Sequence, residues 1–209
     1  MGTWINILII LSTILILCTR FLGGEKIQYL IKFWNIHRYF IFKSGHTIPI
    51  FNNLNILMFF LRIILFSIFI SLYILPKKFA EIPLNNFYII CLLLLTYIGL
   101  KFIIEKTLAI IFSYNLLLNE INRYRIGFKN LIAFHLYFYL LLIIFNPFPY
   151  NSVLSISLIL FINYILFSSY YIYKKTINKT FKSLIYFILY LCTFEIAPAL
   201  FLFWYAFKF

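Results

Sequence analysis

The sequence contains no aspartate, and its five acidic residues are all glutamates: Glu25, Glu81, Glu105, Glu120 and Glu195. Metal-assisted hydrolysis and phosphotransfer need carboxylates that converge on an ion, and five scattered ones make a poor supply. HExxH, GxSxG and Walker-type phosphate loops are also missing. The three cysteines, Cys18, Cys91 and Cys192, form no CxxC and have no histidine close by in sequence. Their spacing cannot build a zinc site, so they read as small apolar side chains buried among helices. His37 and His46 stand isolated. The composition therefore implies no metal and no cofactor, and it leans away from an enzyme. A lipid-linked membrane enzyme ranks third among the possible functions.

What is abundant is apolar. Of the 209 residues, 65% are hydrophobic and the mean hydropathy is +1.01, well above the roughly half-apolar composition of soluble domains. Stretches of eighteen or more residues run almost free of charge, as membrane-spanning helices require. The expected class is all-α: one integral membrane domain over 1–209, a six-helix bundle. The spans fall at about 4–22, 54–75, 87–104, 131–145, 153–173 and 184–205. The purely apolar part of the fourth is short, so it starts near Phe128 or sits tilted or half buried. The third retains helical spacing past Glu105, where Lys101 and Glu105 stand four apart and can pair. Phe, Tyr, Ile, Lys and Asn all have A/T-rich codons, so an aromatic share of 22% reflects nucleotide bias as much as stacking chemistry.

The net charge of +13 would fit nucleic acid if the cations formed one patch. Instead they alternate between spans. Arg20, Lys26, Lys32, Arg38 and Lys43 follow the first span. Lys106, Arg123, Arg125 and Lys129 follow the third, and Lys174, Lys175, Lys179 and Lys182 the fifth. The opposite connections carry only Lys77 and Lys78, then the uncharged "NPFPYN". This phase predicts three basic cytoplasmic loops with both termini outside. The lipid bilayer accounts for the charge with no nucleic-acid partner. No cation precedes the first apolar run and "RFLGG" is not a signal-peptidase site, so that run is expected to stay as a helix.

Within the first basic stretch, residues 25–43 place Glu25, Gln28, Lys32, Asn35 and Arg38 at steps of three or four among aromatic and aliphatic residues. That pattern predicts an amphipathic helix lying in the interface or re-entering from it; a short seventh span is the competing reading, against which Lys32 and Arg38 in mid-segment and the charge phase argue.

A few polar residues interrupt the spans. A bare charge at the bilayer centre costs at least about 2.5–3.5 kcal/mol, so each needs a reason. Arg62 stands about eight residues from the cytoplasmic end of the second span and Glu195 about eleven from that of the last. At 1.5 Å per residue the depths are roughly 12 and 16 Å, within an arginine's reach, so an Arg62–Glu195 pair is expected. Around Glu195, Cys192 and Ala199 share a small-residue face on which a neighbouring helix can close. Pro198 frees the carbonyl of Phe194 and kinks the helix, and Thr193 offers a hydroxyl. His135 and Asn163 are read as hydrogen-bonding groups between helices.

The stretch "LYLCTFEIAP" (189–198) resembles the closing helix of a family of Bacteroidetes-type inner-membrane proteins with no assigned activity. Cys192, Thr193, Glu195, Ile196, Ala197 and Pro198 carry the likeness. It implies a bacterial inner membrane, an organellar inner membrane being the alternative. The leading expectation is a non-enzymatic integral subunit or scaffold acting with partner membrane proteins. The alternative is a small transporter or proton-coupled channel using Glu195.

Overall fold

The computed structural model describes residues 3–23, 52–74, 84–111, 113, 115–145 and 150–176. They form five helices: α1 (Thr3–Gly23), α2 (Asn53–Ile74), α3 (Leu84–Ile111), α4 (Asn115–Phe145) and α5 (Tyr150–Thr176). Four of them, α1 to α4, are long and apolar enough to cross a membrane. The fifth expected span, 153–173, falls inside α5. The sixth, 184–205, and the amphipathic segment 25–43 lie outside the described residues.

Local chemistry sets the helix ends. The carbonyl of Asn52 accepts from the amide of Ile56 at 3.0 Å, so Asn52 opens α2 as its cap. Pro83 stands just before α3, and Pro147 and Pro149 just before α5, where a missing N–H does no harm. Between α3 and α4 the sequence offers no glycine or proline. Ser113 makes the turn with φ 57°, its amide donating to the carbonyl of Ile110 at 3.2 Å. An L-residue held left-handed stores roughly 1 kcal/mol that glycine does not. Ser113→Gly is expected to raise stability by up to about 1 kcal/mol, measured by denaturant titration in detergent micelles.

This turn changes the reading of the middle of the chain. α3 does continue past Glu105, but it stops at Ile111. Arg123, Arg125 and Lys129, expected in a basic cytoplasmic loop, lie in the first half of α4, whose apolar span runs Leu118–Phe145. The fourth span is not short. Its apolar stretch opens at Leu118, ahead of Arg123 and Arg125 in the chain.

α2 and α4 run side by side at the centre, and α1, α3 and α5 pack around them. α1 offers a narrow seam of Ile5, Ile9, Ser12 and Thr19, at steps of three, four and seven. Trp4 of α1 meets Phe87 of α3, ring centroids 5.6 Å apart. Phe128, 1% exposed, fills the join of α4 and α5. The rings of Tyr164, Phe167 and Tyr171 surround it at 6.3, 6.3 and 5.4 Å, each edge to face, a geometry worth about 0.5–1.5 kcal/mol per pair. The Tyr164 hydroxyl also donates to the Phe128 carbonyl at 3.3 Å.

Because lipid is as apolar as leucine, packing and polar contacts hold such helices together. Hydroxyls in the spans mostly bond back to their own helix: Ser12 to Leu8, Thr19 to Ile16, Ser71 to Ser67. Thr13 gives its proton to the Ile9 carbonyl at 2.8 Å. A hydroxyl has one proton to give, so in the 2.7 Å contact between Thr13 and Tyr137 the tyrosine donates, tying α1 to α4. Ser67 is different: its Oγ is buried with no hydrogen-bond partner among the described residues. An unmatched buried hydroxyl costs about 1–3 kcal/mol. Ser67→Ala is therefore expected to be neutral or to stabilise by about 1 kcal/mol, read as an unfolding midpoint that does not fall. Cys18 departs from expectation. It is exposed on α1, and Cys91 is only half buried on α3.

Candidate functional site

Glu105, Arg125, Asn55 and Asn130 lie in the half of the bundle that holds the α3–α4 turn, whereas the buried hydroxyls of Ser12, Ser67 and Ser71 lie further along their helices. On α3, the side chains of Lys101 and Glu105 lie one turn apart, Nζ to Oε1 3.8 Å, so the predicted pair exists. The dominant partner of Glu105 is Arg125, twenty residues further on. Arg125 reaches across from α4 and places Nη1 3.2 and 3.1 Å from the two carboxylate oxygens and 2.9 Å from Oδ1 of Asn122. Glu105 and Arg125 are each 5% exposed.

The sequence explains why they meet. Ser113 reverses the chain, so α3 and α4 lie antiparallel. Glu105 is six residues before the end of α3, and Arg125 is ten after the start of α4. The offset of about one helical turn, ~6 Å, is what an arginine side chain spans.

A second buried polar contact lies further along α4, where Nδ2 of Asn130 donates to Oδ1 of Asn55 on α2 at 3.3 Å. It sets the register of the two central helices. Seven residues beyond each asparagine stand Arg62 and Tyr137. Tyr137 meets Thr13, the middle residue of α1. Arg62 thus departs from its helix about level with the middle of α1. It is half buried, its guanidinium 5.5 Å from the centroid of Phe59. Among the described residues it has no ion pair.

His135 projects to the outside of α4, with Nδ1 2.9 Å from the Leu131 carbonyl of its own helix. Asn163 is exposed on α5. Neither joins the cluster. Glu195, Cys192, Thr193 and Pro198 lie outside the described residues, and with them the expected Arg62–Glu195 contact. Among the described residues, no three His, Cys, Asp or Glu side chains come together in a way that could hold a metal ion. Sequence reasoning missed Arg125 and Asn130 as buried groups, because both fall in the stretch taken for a loop.

Long apolar helices, joined at their polar positions by buried ion-pair and amide contacts, define an α-helical membrane protein. The chain belongs to the family described as Domain of unknown function (DUF4271), whose model matches residues 5–206. No curated protein and no solved structure matches it.

Proposed function

We propose that this protein is a non-enzymatic integral membrane subunit or scaffold that works by packing against partner membrane proteins. The observation that carries the reading is how the described charges are spent. Glu105 and Arg125 fasten α3 to α4 at a buried contact, with Lys101 pairing Glu105 along α3, and Asn55 and Asn130 fasten α2 to α4. Groups that carry protons or substrates sit instead where a solute can reach them. Beyond this seam α3 turns a broad apolar side outward, with Tyr88, Leu92, Leu93 and Leu100 among its exposed residues, a surface available to another helix. The full fold on this reading is six spans, with both termini outside and the basic end cytoplasmic. The bacterial inner membrane is the proposed location, supported by the 191–198 sequence.

Photocrosslinkers placed at Leu93 and Leu100 in native membranes are expected to trap one discrete membrane protein, which co-purifies in mild detergent. Recovery of the chain as a stable lone monomer, with adducts to lipid only, would overturn the subunit reading.

Arg62 supports the competing reading of a small transporter or proton-coupled channel using Glu195. A cation that leaves its helix near mid-depth, with no ion pair among the described residues, calls for an anionic counterpart. Activity that survives Glu195→Gln while Glu195→Ala lowers abundance would eliminate that role for Glu195 and leave it a packing group.

A further inference from the structure

Arg62 marks a partly covered side of the bundle. On α2, Phe59, Arg62 and Phe66 stand at i, i+3 and i+7, one stripe, each half buried. On α5, Phe161, Ile165 and Ser168 make a second stripe at i, i+4 and i+7, also half buried. The rings of Phe66 and Phe161 join the two stripes, 5.8 Å between centroids and 70° between planes. Between α2 and α5 lies a trough that holds a cation with no ion pair among the described residues.

The contacts fix its direction and level. Asn55 of α2 meets Asn130 of α4, close to Phe128, whose ring meets Phe167 of α5. Further along α2, Phe66 meets Phe161. α2 advances as α5 retreats, so the two run antiparallel. Arg62 stands between Asn55 and Phe66 and therefore lies opposite the stretch 161–167 of α5.

Chain length names the occupant. α5 ends at Thr176, and residues 177–183 alone separate it from the expected last span, 184–205. A link so short brings that span back beside α5 and antiparallel to it. Ile165 is eleven residues before the end of α5, and Glu195 is eleven after residue 184. Glu195 thus comes level with Ile165, inside the stretch opposite Arg62. It is the only acidic residue of 184–205. The outer side of α5 at that level, with Ile162 and Leu166 exposed, carries no cation to meet it.

We propose that the trough between α2 and α5 is the seat of the chain's own last span, which lies antiparallel to α5 and sets its Cys192, Glu195 and Ala199 side toward α2. The inference rests on the expected sixth span and on neither reading of the function.

Cross-linking in native membranes tests the seat. In the full chain, Cys18→Ser and Cys91→Ser leave Cys192 as the native thiol. A second cysteine is placed by Phe59→Cys on α2, by Ser168→Cys on α5, or by Leu166→Cys on the outer side of α5. With a short bismaleimide, the first two are expected to join Cys192 within one chain at several times the yield of the third. The pair Phe66→Cys and Ala199→Cys, with Cys192→Ser, repeats the α2 test should Phe59→Cys not accumulate. The proposal fails if no product forms within one chain, or if Leu166→Cys joins as well as the other two, which would put the span on the outer side of α5. It fails too if the products contain two chains, which would mean that the trough receives another molecule. Adduct yield reads the seat and unfolding reads the ion pair, so either can fail without the other.

Discussion

Glu105→Gln is expected to destabilise the folded chain by about 3–5 kcal/mol, the cost of breaking a buried ion pair from one side. The reason lies in what stays behind. The buried Arg125 would keep its charge against a neutral amide, with the half-buried Lys101 a second cation beside the same group. Arg125→Met is expected to cost less, about 2–3 kcal/mol, because Glu105 keeps Lys101 one turn away at 3.8 Å. Lys101→Met should cost under about 1 kcal/mol, since its contact is the longer and the more exposed. The double variant Glu105→Gln/Arg125→Met should recover much of the loss, because it removes the buried guanidinium along with its carboxylate. Unfolding in SDS mixed micelles gives all four values. An order with Lys101→Met worst would refute this account of the cluster.

Arg62→Met is expected to lower stability by about 2.5–3.5 kcal/mol, for a reason the ring contact with Phe59 does not supply. On the proposed pairing, the substitution strands the carboxylate of Glu195 within the bilayer. Glu195→Gln added to it should restore most of the stability, since the amide needs no counter-ion. The coupling between the two changes is the test. If Arg62→Met alone leaves stability unchanged or raised, the arginine has no buried anion and the pairing is wrong. The alignment of Asn55 with Asn130 strengthens the expectation, because it puts Arg62 level with mid-α1, a depth close to that deduced for Glu195 in its own span.

The helical class was legible from hydropathy because period and length are properties of a window, and windows are local. So was the Lys101–Glu105 pair, whose partners are one turn apart. Arg125 was not legible, since its role depends on where the chain reverses. The reversal sits at Ser113, in a sequence, "IIFSYNL", with no glycine or proline to mark it. Without that turn, Glu120, Arg123, Arg125 and Lys129 look like a solvated loop. With it, Arg125 points into the seam while Glu120 and Arg123 stay only partly covered. The exposure of Cys18 had no local signal either. Which side of a uniformly apolar helix faces inward is decided by its neighbours, and the seam of α1 chose Ile5, Ile9, Ser12 and Thr19.

The connection between α3 and α4 is three residues long, 112–114. A link so short cannot hold one helix in the membrane while the other waits outside. During synthesis the two must therefore partition into lipid as a pair, and α4 brings Arg125 to Glu105 as it enters. The carboxylate and the guanidinium then meet on the way in, so the insertion machinery never carries Glu105 into lipid as a lone charge.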